Sequence, residues 1–164
     1  MIALFLSTAF AEANCPLAES PVSDIQQVQT TDLPSIFAQA KGCSTLIEIW
    51  ASWCGPCVTI APYMVKFKDA HPNVEIISVS ADSTLGEMKH FLKTHPTPGT
   101  KIHLTQWSIA ELEHVFSPYD LSFPGRIPYL VWLNPDGSVY QTLTEPSVTE
   151  FSKWLTPVER PNAP

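Results

Sequence analysis

Two cysteines separated by two residues stand between a predicted strand and a predicted helix. Ser44–Trp50 reads STLIEIW, which is short, β-branched and almost continuously apolar, as is typical of a buried strand in a parallel sheet. Residues 53–57 (WCGPC) follow at once, and the sequence from Gly55 to about Ala70 predicts a helix. This order places the first cysteine at the N-terminus of a helix.

That position determines what the two cysteines can do. Unpaired backbone N–H groups and the helix dipole favour an anion at a helix N-terminus, so they stabilise the thiolate of Cys54. Two intervening residues on a helical turn bring Cys57 close enough to form a disulfide with Cys54. Two alternatives stay open here: a zinc site, and a disulfide that is only structural. A four-cysteine zinc site normally needs a second close pair, whereas Cys15 and Cys43 lie far apart.

The rest of the chain alternates predicted strands and helices. Val74–Ala81 predicts another strand, and Pro128–Leu133 and Ser138–Leu143 predict a strand pair joined by a tight turn, NPDG. That pair has to be antiparallel because four residues cannot form a parallel crossover. Further helices are predicted at Asp32–Lys41, Thr84–Leu92, Ser108–Phe116 and Ser147–Leu155. The pattern predicts one α/β domain with a central mixed β-sheet flanked by helices.

The composition excludes several classes of protein. The 164 residues are 45% hydrophobic and 10% aromatic, which supplies a core and excludes a disordered chain or a miniprotein held by disulfides alone. The 9 Lys and Arg against 16 Asp and Glu give a net charge of −7. Nucleic acid is therefore excluded as the expected partner, because phosphate binding needs clustered cations.

The N-terminal segment predicts export. Residues 1–11 (MIALFLSTAFA) are apolar and uncharged, and their last three residues fit the small-x-small rule of signal peptidase, with Glu12 as the first mature residue. The segment is too short to span a bilayer as a helix. It lacks a basic n-region, so we interpret it as a signal peptide or as the end of a longer leader that could tether the protein to a membrane. The alternative is an apolar segment packed on the domain.

The residues around the two cysteines resemble a known family. Residues 48–57 (EIWASWCGPC) are similar to the active-site segment of the thioredoxin superfamily. Pro62 matches the kinking proline of that family's active-site helix, Arg126-Ile127-Pro128 its cis-proline loop, and residues 134–137 its hairpin turn. The resemblance runs from about Asp32 to Leu155 and implies a thioredoxin-like fold.

The segment Thr84–Phe123 is longer than its counterpart in a minimal thioredoxin. This helical insert before the cis-proline loop, together with the leader, resembles the TlpA/ResA branch of exported thiol–disulfide oxidoreductases. The expected organisation is a leader, an N-terminal arm at 12–31, a thioredoxin-like domain at 32–157 and a loose tail at 158–164.

The resemblance implies roles for three residues. Cys54 is expected to be the exposed nucleophile that attacks a substrate disulfide, and the less exposed Cys57 to resolve the mixed disulfide. Glu48 stands where the family carries a buried acid, and its apolar neighbours predict a raised pKa. Its carboxyl could then relay the proton of Cys57. The alternative is a glutamate that reaches solvent from an edge strand.

Substrate contacts are expected at Ile127, Pro128 and Trp53. A cis bond before Pro128 would present the backbone of Ile127 to an extended peptide, whereas an ordinary trans proline is the alternative. Trp53 is interpreted as apolar cover beside the cysteines, and Trp50 as a core residue.

The other cysteines and the histidines carry weaker signals. In an oxidising compartment Cys15 and Cys43 suggest a structural disulfide that pins the arm, although two free thiols or a second exchange pair stay open. The five histidines show no ligand spacing, so we interpret them as solvated surface residues and expect no metal site: His71, His90, His95, His103 and His114.

The sequence therefore predicts an exported, periplasmic, protein-disulfide oxidoreductase without a cofactor, monomeric, with reduction as the favoured direction. The resemblance implies as partners proteins with cysteines or disulfides, such as apocytochrome c, and a membrane thiol–disulfide electron donor. Two alternatives remain. The same pair could form or isomerise disulfides, or it could be the soft-metal site of a non-enzymatic module.

Overall fold

Six strands form one mixed sheet in the computed structural model, which describes residues 21–156. The strands are β1 (Gln26–Val28), β2 (Thr45–Trp50), β3 (Glu75–Ser80), β4 (Thr100–Leu104), β5 (Tyr129–Leu133) and β6 (Val139–Thr144). The α-helices are α1 (Leu33–Gln39), α2 (Gly55–Ala70), α3 (Leu85–Thr94), α4 (Ile109–Phe116) and α5 (Val148–Ser152). Short 3₁₀ turns lie at Thr30–Asp32, Ser117–Tyr119 and Lys153–Leu155.

The strand order is β1-β4-β3-β2-β5-β6, so β2 is a central strand. It pairs in parallel with β3 and antiparallel with β5, and β1, β4 and β3 are parallel to their neighbours. The predicted hairpin is confirmed, because β5 and β6 pair antiparallel on either side of the NPDG turn. The expected α/β fold with a central mixed sheet and flanking helices is therefore observed.

Both faces of β2 are buried, which explains its continuous apolar sequence. Ile47 and Ile49 point into the core cluster that includes residues of α1 and α4. Leu46 and Trp50 point to the opposite face, where α2, α3 and α5 contribute the packing residues. Because side chains alternate along a strand, Glu48 faces the same side as Leu46 and Trp50. That side is covered by α2, the helix that begins with the Cys-x-x-Cys motif.

The predicted capping residues begin their helices as expected. Thr84 Oγ1 accepts a hydrogen bond from the Glu87 N–H (3.2 Å), and Glu87 Oε2 accepts one from the Thr84 N–H (2.8 Å), a complete capping box before α3. Ser147 and Glu150 form the same arrangement before α5.

Strand β4 is the largest difference from the sequence prediction. The insert Thr84–Phe123 was expected to be helical, but it also carries a strand that pairs with β3 and, at the sheet edge, with β1. β1 itself comes from the end of the predicted arm. The sequence of β4, TKIHL, alternates polar and apolar residues and looks half-exposed, yet all five residues are buried. The interpretation of His103 as a solvated surface residue is therefore wrong.

Several predictions concern residues on which the structure gives no description. The leader (1–11), Cys15, most of the arm and the tail (158–164) lie outside residues 21–156. Within residues 21–156, no helix combines the length and the apolar composition needed to cross a membrane.

Candidate active site

Cys54 and Cys57 form a disulfide at the start of α2. Cys54 is the N-cap residue, with an extended backbone, and its Sγ accepts a hydrogen bond from the backbone N–H of Cys57 at 3.2 Å. Pro56 lies in the first turn, where its missing N–H costs no helical hydrogen bond. The Cα atoms of the two cysteines are 5.2 Å apart. The Sγ of Cys54 therefore lies where unpaired N–H groups and the helix dipole stabilise a thiolate after reduction.

Cys54 is less accessible than expected. Cys54 is only 5% exposed, so the expectation of an exposed nucleophile is wrong, whereas Cys57 is less exposed than Cys54, at 2%, as expected. The carbonyl oxygen of Ile127 lies 3.4 Å from Cys54 Sγ and covers part of the sulfur. Trp53, next to it, is 60% exposed. The exposed residues beside the disulfide are therefore Trp53, Gly55 and Pro56.

The loop before β5 faces the disulfide. The Ile127–Pro128 peptide bond is cis, which confirms the expectation at Pro128. The Pro128 carbonyl accepts a hydrogen bond from the Glu145 N–H at 2.8 Å, and an ion pair joins Arg126 to Glu145 at 3.1 Å. The residues after β6 thus hold this loop in place, with the Ile127 backbone beside Cys54.

Glu48 is buried in the middle of the central strand. It is 3% exposed, and its Oε2 accepts one hydrogen bond, from Ser78 Oγ at 3.3 Å. Burial raises the pKa of Glu48 from 4.5 to about 7, and the hydrogen bond from Ser78 acts in the opposite direction by lowering it. The predicted rise in pKa is confirmed, and the alternative of a glutamate reaching solvent from an edge strand is wrong.

Asp82 is a residue of the site that the sequence interpretation missed. It follows β3, at the end of the sheet where the carboxyl ends of β2 and β3 meet, and the residue is 1% exposed. Oδ1 accepts hydrogen bonds from the backbone N–H (2.8 Å) and the hydroxyl (2.7 Å) of Ser52. One signal in the sequence could have found it. Asp82 follows the predicted strand β3, and if β3 pairs in parallel with β2, the carboxyl ends of the two strands lie side by side. Asp82 is then close to the residues that follow β2, where the Cys-x-x-Cys motif begins.

The remaining sequence candidates fall outside the cysteine pair and its facing loop, although Trp50 packs in the same buried cluster as Cys54 and Cys57. Cys43 is buried just before β2, and because Cys15 lies outside the described residues, the Cys15–Cys43 disulfide stays a prediction. Trp50 is a core residue, as predicted. Between residues 21 and 156 no group of three His, Cys, Asp or Glu side chains could hold a metal ion.

Comparison with known proteins gives a consistent result. The sporulation thiol-disulfide oxidoreductase A of Bacillus subtilis is 25% identical over 161 residues, which cover 95% of this chain and 90% of that protein. The thiol-disulfide oxidoreductase ResA of the same organism is 26% identical over 127 residues, 73% of this chain and 65% of ResA, so the match spans slightly less than two thirds of ResA.

A solved structure with a similar fold also belongs to a thioredoxin-related protein. The thioredoxin-related protein from Neisseria meningitidis superposes with a TM-score of 0.53 at 26% identity, covering 70% of this chain and 84% of that one. The family model described as thioredoxin-like matches residues 42–139, more than half of the chain, including the disulfide and the cis-proline loop. The chain therefore belongs to the thioredoxin-like family.

Proposed function

We propose that this protein is an exported thiol–disulfide oxidoreductase that reduces disulfides in other proteins with its Cys54–Cys57 pair. The observation that carries the proposal is the position of that pair, a disulfide at the N-terminus of α2 beside the cis Ile127–Pro128 loop. The names of the two Bacillus subtilis relatives support the reaction class.

The reaction begins from the reduced protein. The Cys54 thiolate attacks one sulfur of a substrate disulfide, a new S–S bond joins Cys54 to the substrate, and the other substrate sulfur leaves as a thiolate. The Cys57 thiolate then attacks Cys54 Sγ, which releases the second substrate thiolate and forms the Cys54–Cys57 disulfide. Two electrons pass to the substrate, so an external dithiol has to reduce the protein again.

Glu48 takes the proton of Cys57 in the second step. A buried thiol is a weak nucleophile because burial disfavours the thiolate. A carboxyl whose pKa is about 7 is present in both protonation states near neutral pH, which suits a group that accepts and returns a proton. Burial on the β2 face that α2 covers supports this role.

The substrate binds across the disulfide in an extended conformation. The Ile127 backbone lies beside Cys54 and offers peptide groups for pairing, while the exposed ring of Trp53 provides an apolar contact. Backbone pairing carries little sequence preference, so the surrounding side chains have to provide specificity.

Location and partners belong to the same proposal. The apolar leader at 1–11 supports export, and an oxidising compartment then requires a membrane thiol–disulfide protein as the electron donor. Oxidised proteins such as apocytochrome c are the substrate class that we propose, with the protein acting as a monomer.

The reduction potential of the Cys54–Cys57 pair tests the direction of the reaction. Equilibration with a defined glutathione or dithiothreitol buffer should give a value near that of reducing thioredoxins, about −270 mV, because the Gly55-Pro56 pair resembles theirs. A value near about −120 mV, typical of strong oxidants, would instead favour disulfide formation. A pair that binds a soft metal but shows no exchange with glutathione would favour the non-enzymatic alternative.

A further inference from the structure

The turn that presents Cys54 is tied to a single buried carboxylate. Ala51–Cys54 connects β2 to α2, and the Cys54 N–H donates to the Ala51 carbonyl at 3.2 Å. In the middle of this turn, Ser52 donates both its N–H and its hydroxyl to Oδ1 of Asp82. The other carboxylate oxygen, Oδ2, accepts a hydrogen bond from Ser80 Oγ at 2.7 Å. Three donors thus hold the Asp82 carboxylate in one orientation.

Two residues of the insert Thr84–Phe123 contact the backbone carbonyls of Ala81 and Asp82. His103 Nε2 lies 3.1 Å from the Asp82 carbonyl oxygen, within hydrogen-bond distance, and His103 belongs to β4. Trp107 Nε1, after β4, donates to the Ala81 carbonyl at 3.1 Å. The Ala81 N–H in turn donates to the carbonyl of Trp50, the last residue of β2, at 2.7 Å. The backbone at residues 81–82 is therefore fixed between the insert and the active-site turn.

We propose that Asp82 is a positioning residue that holds the Ala51–Cys54 turn and so fixes Cys54 Sγ at the N-terminus of α2. Strand β4 and the loop after it support Asp82 in this position. This inference rests on the proposed function, because positioning Cys54 matters only if Cys54 reacts. The stabilisation of a thiolate by a helix N-terminus falls off within the first turn, so a loosened Cys54 is stabilised less. Exchange also depends on the alignment of the attacking sulfur.

A substitution pair separates positioning from charge. Asp82→Asn removes the negative charge and presents an NH₂ group or a single acceptor to three donors, whereas Ser52→Ala keeps the charge and removes one hydrogen bond. We expect Asp82→Asn to slow reduction of insulin disulfides about tenfold and Ser52→Ala about threefold. Both substitutions should raise the midpoint pH for alkylation of Cys54 in the reduced protein by about half a unit. Mass mapping of the alkylated peptides identifies the modified cysteine.

Asp136 provides a matched control at the far end of the sheet. Its Oδ1 accepts from the N–H and the hydroxyl of Ser138 at 2.8 and 2.7 Å, the same pair of donors that Ser52 offers to Asp82. Asp136→Asn should leave both the reduction rate and the Cys54 alkylation midpoint unchanged.

The two readouts distinguish the possible outcomes. A lower midpoint in Asp82→Asn with no change in Ser52→Ala would mean that Asp82 acts only through its charge, which overturns the proposal. Unchanged midpoints in both variants would mean a purely structural role and overturn it too. If Asp82→Asn does not fold, Ser52→Ala decides alone. If the unmodified protein fails to reduce insulin, the proposed function fails, but the alkylation midpoint still tests the positioning of Cys54.

Discussion

Replacement of Cys54 with serine is expected to lower the rate of disulfide reduction about a thousandfold or more. The hydroxyl of serine is not ionised at neutral pH and does not attack a disulfide, so no mixed disulfide can form. Cys57 is not expected to substitute for it, because Cys57 lies inside the first turn of α2 and not at the N-cap position of Cys54. Insulin reduction with dithiothreitol as the electron source measures the rate.

Thr59→Ser is the control for this prediction. Thr59 lies on the exposed side of α2, one turn after Gly55, and its hydroxyl donates to the Gly55 carbonyl at 3.1 Å. Serine can keep that hydrogen bond, so the rate should stay within about twofold of the unmodified protein. Cys54→Ser retaining a tenth of the activity would contradict the assignment of Cys54 as the attacking residue.

Glu48→Gln is expected to raise the stability of the protein at pH 8 and to slow its second chemical step. The pKa of Glu48 is about 7 in the folded protein and 4.5 in the reference state. As the pH rises, the Glu48 carboxyl therefore stays protonated to a higher pH in the folded protein than in the unfolded chain. The stronger binding of this proton by the folded state contributes fully to the free energy of unfolding below pH 4.5, and this contribution is lost as the pH rises through 7. The loss is about 3 kcal/mol, at about 1.4 kcal/mol for each pKa unit.

Urea unfolding at several pH values measures this effect. The free energy of unfolding of the unmodified protein should fall between pH 4.5 and 7 by an amount that is absent in Glu48→Gln, because glutamine does not ionise. Equal pH dependence in the two proteins would show that the carboxyl of Glu48 titrates normally.

The kinetic effect of the same substitution should appear in one step only. Attack by Cys54 should be almost unchanged, whereas resolution by Cys57 should slow about a hundredfold at pH 7 because its proton acceptor is gone. Stopped-flow measurement of the mixed disulfide separates the two steps. Ser78→Ala is the matched variant, since it keeps the carboxyl but removes the hydrogen bond that lowers its pKa, so the pH profile should shift upward. A resolution rate independent of Glu48 would remove it from the mechanism.

The parts of the structure that depend on local sequence were predictable. The strand before the Cys-x-x-Cys motif, the capping box at Thr84 and the NPDG hairpin each depend on residues close together in the chain. The resemblance added the cis bond before Pro128, which no local pattern specifies. The burial of Glu48 followed from its apolar neighbours in β2.

The missed features depend on contacts between distant segments. β4 was not predicted because Lys101 and His103 suggest an exposed surface, whereas both are buried in a strand that pairs with β3 on one side and β1 on the other. Asp82 gave no local sign of its role, since Ser52 meets it only when β2 and β3 pair in parallel. The contact between Cys54 and the Ile127 carbonyl joins residues on either side of the insert in the sequence.

The most direct test of the account is to find which cysteine holds a trapped substrate. Cys57→Ser lacks the resolving thiol, so incubation of its reduced form with an oxidised model protein should accumulate a mixed disulfide. Peptide mapping by mass spectrometry under non-reducing conditions locates the bond. We predict that the substrate is attached to Cys54. Attachment to another cysteine, or no complex under conditions in which the unmodified protein turns over, would contradict the central claim that Cys54 is the nucleophile of a dithiol exchange reaction.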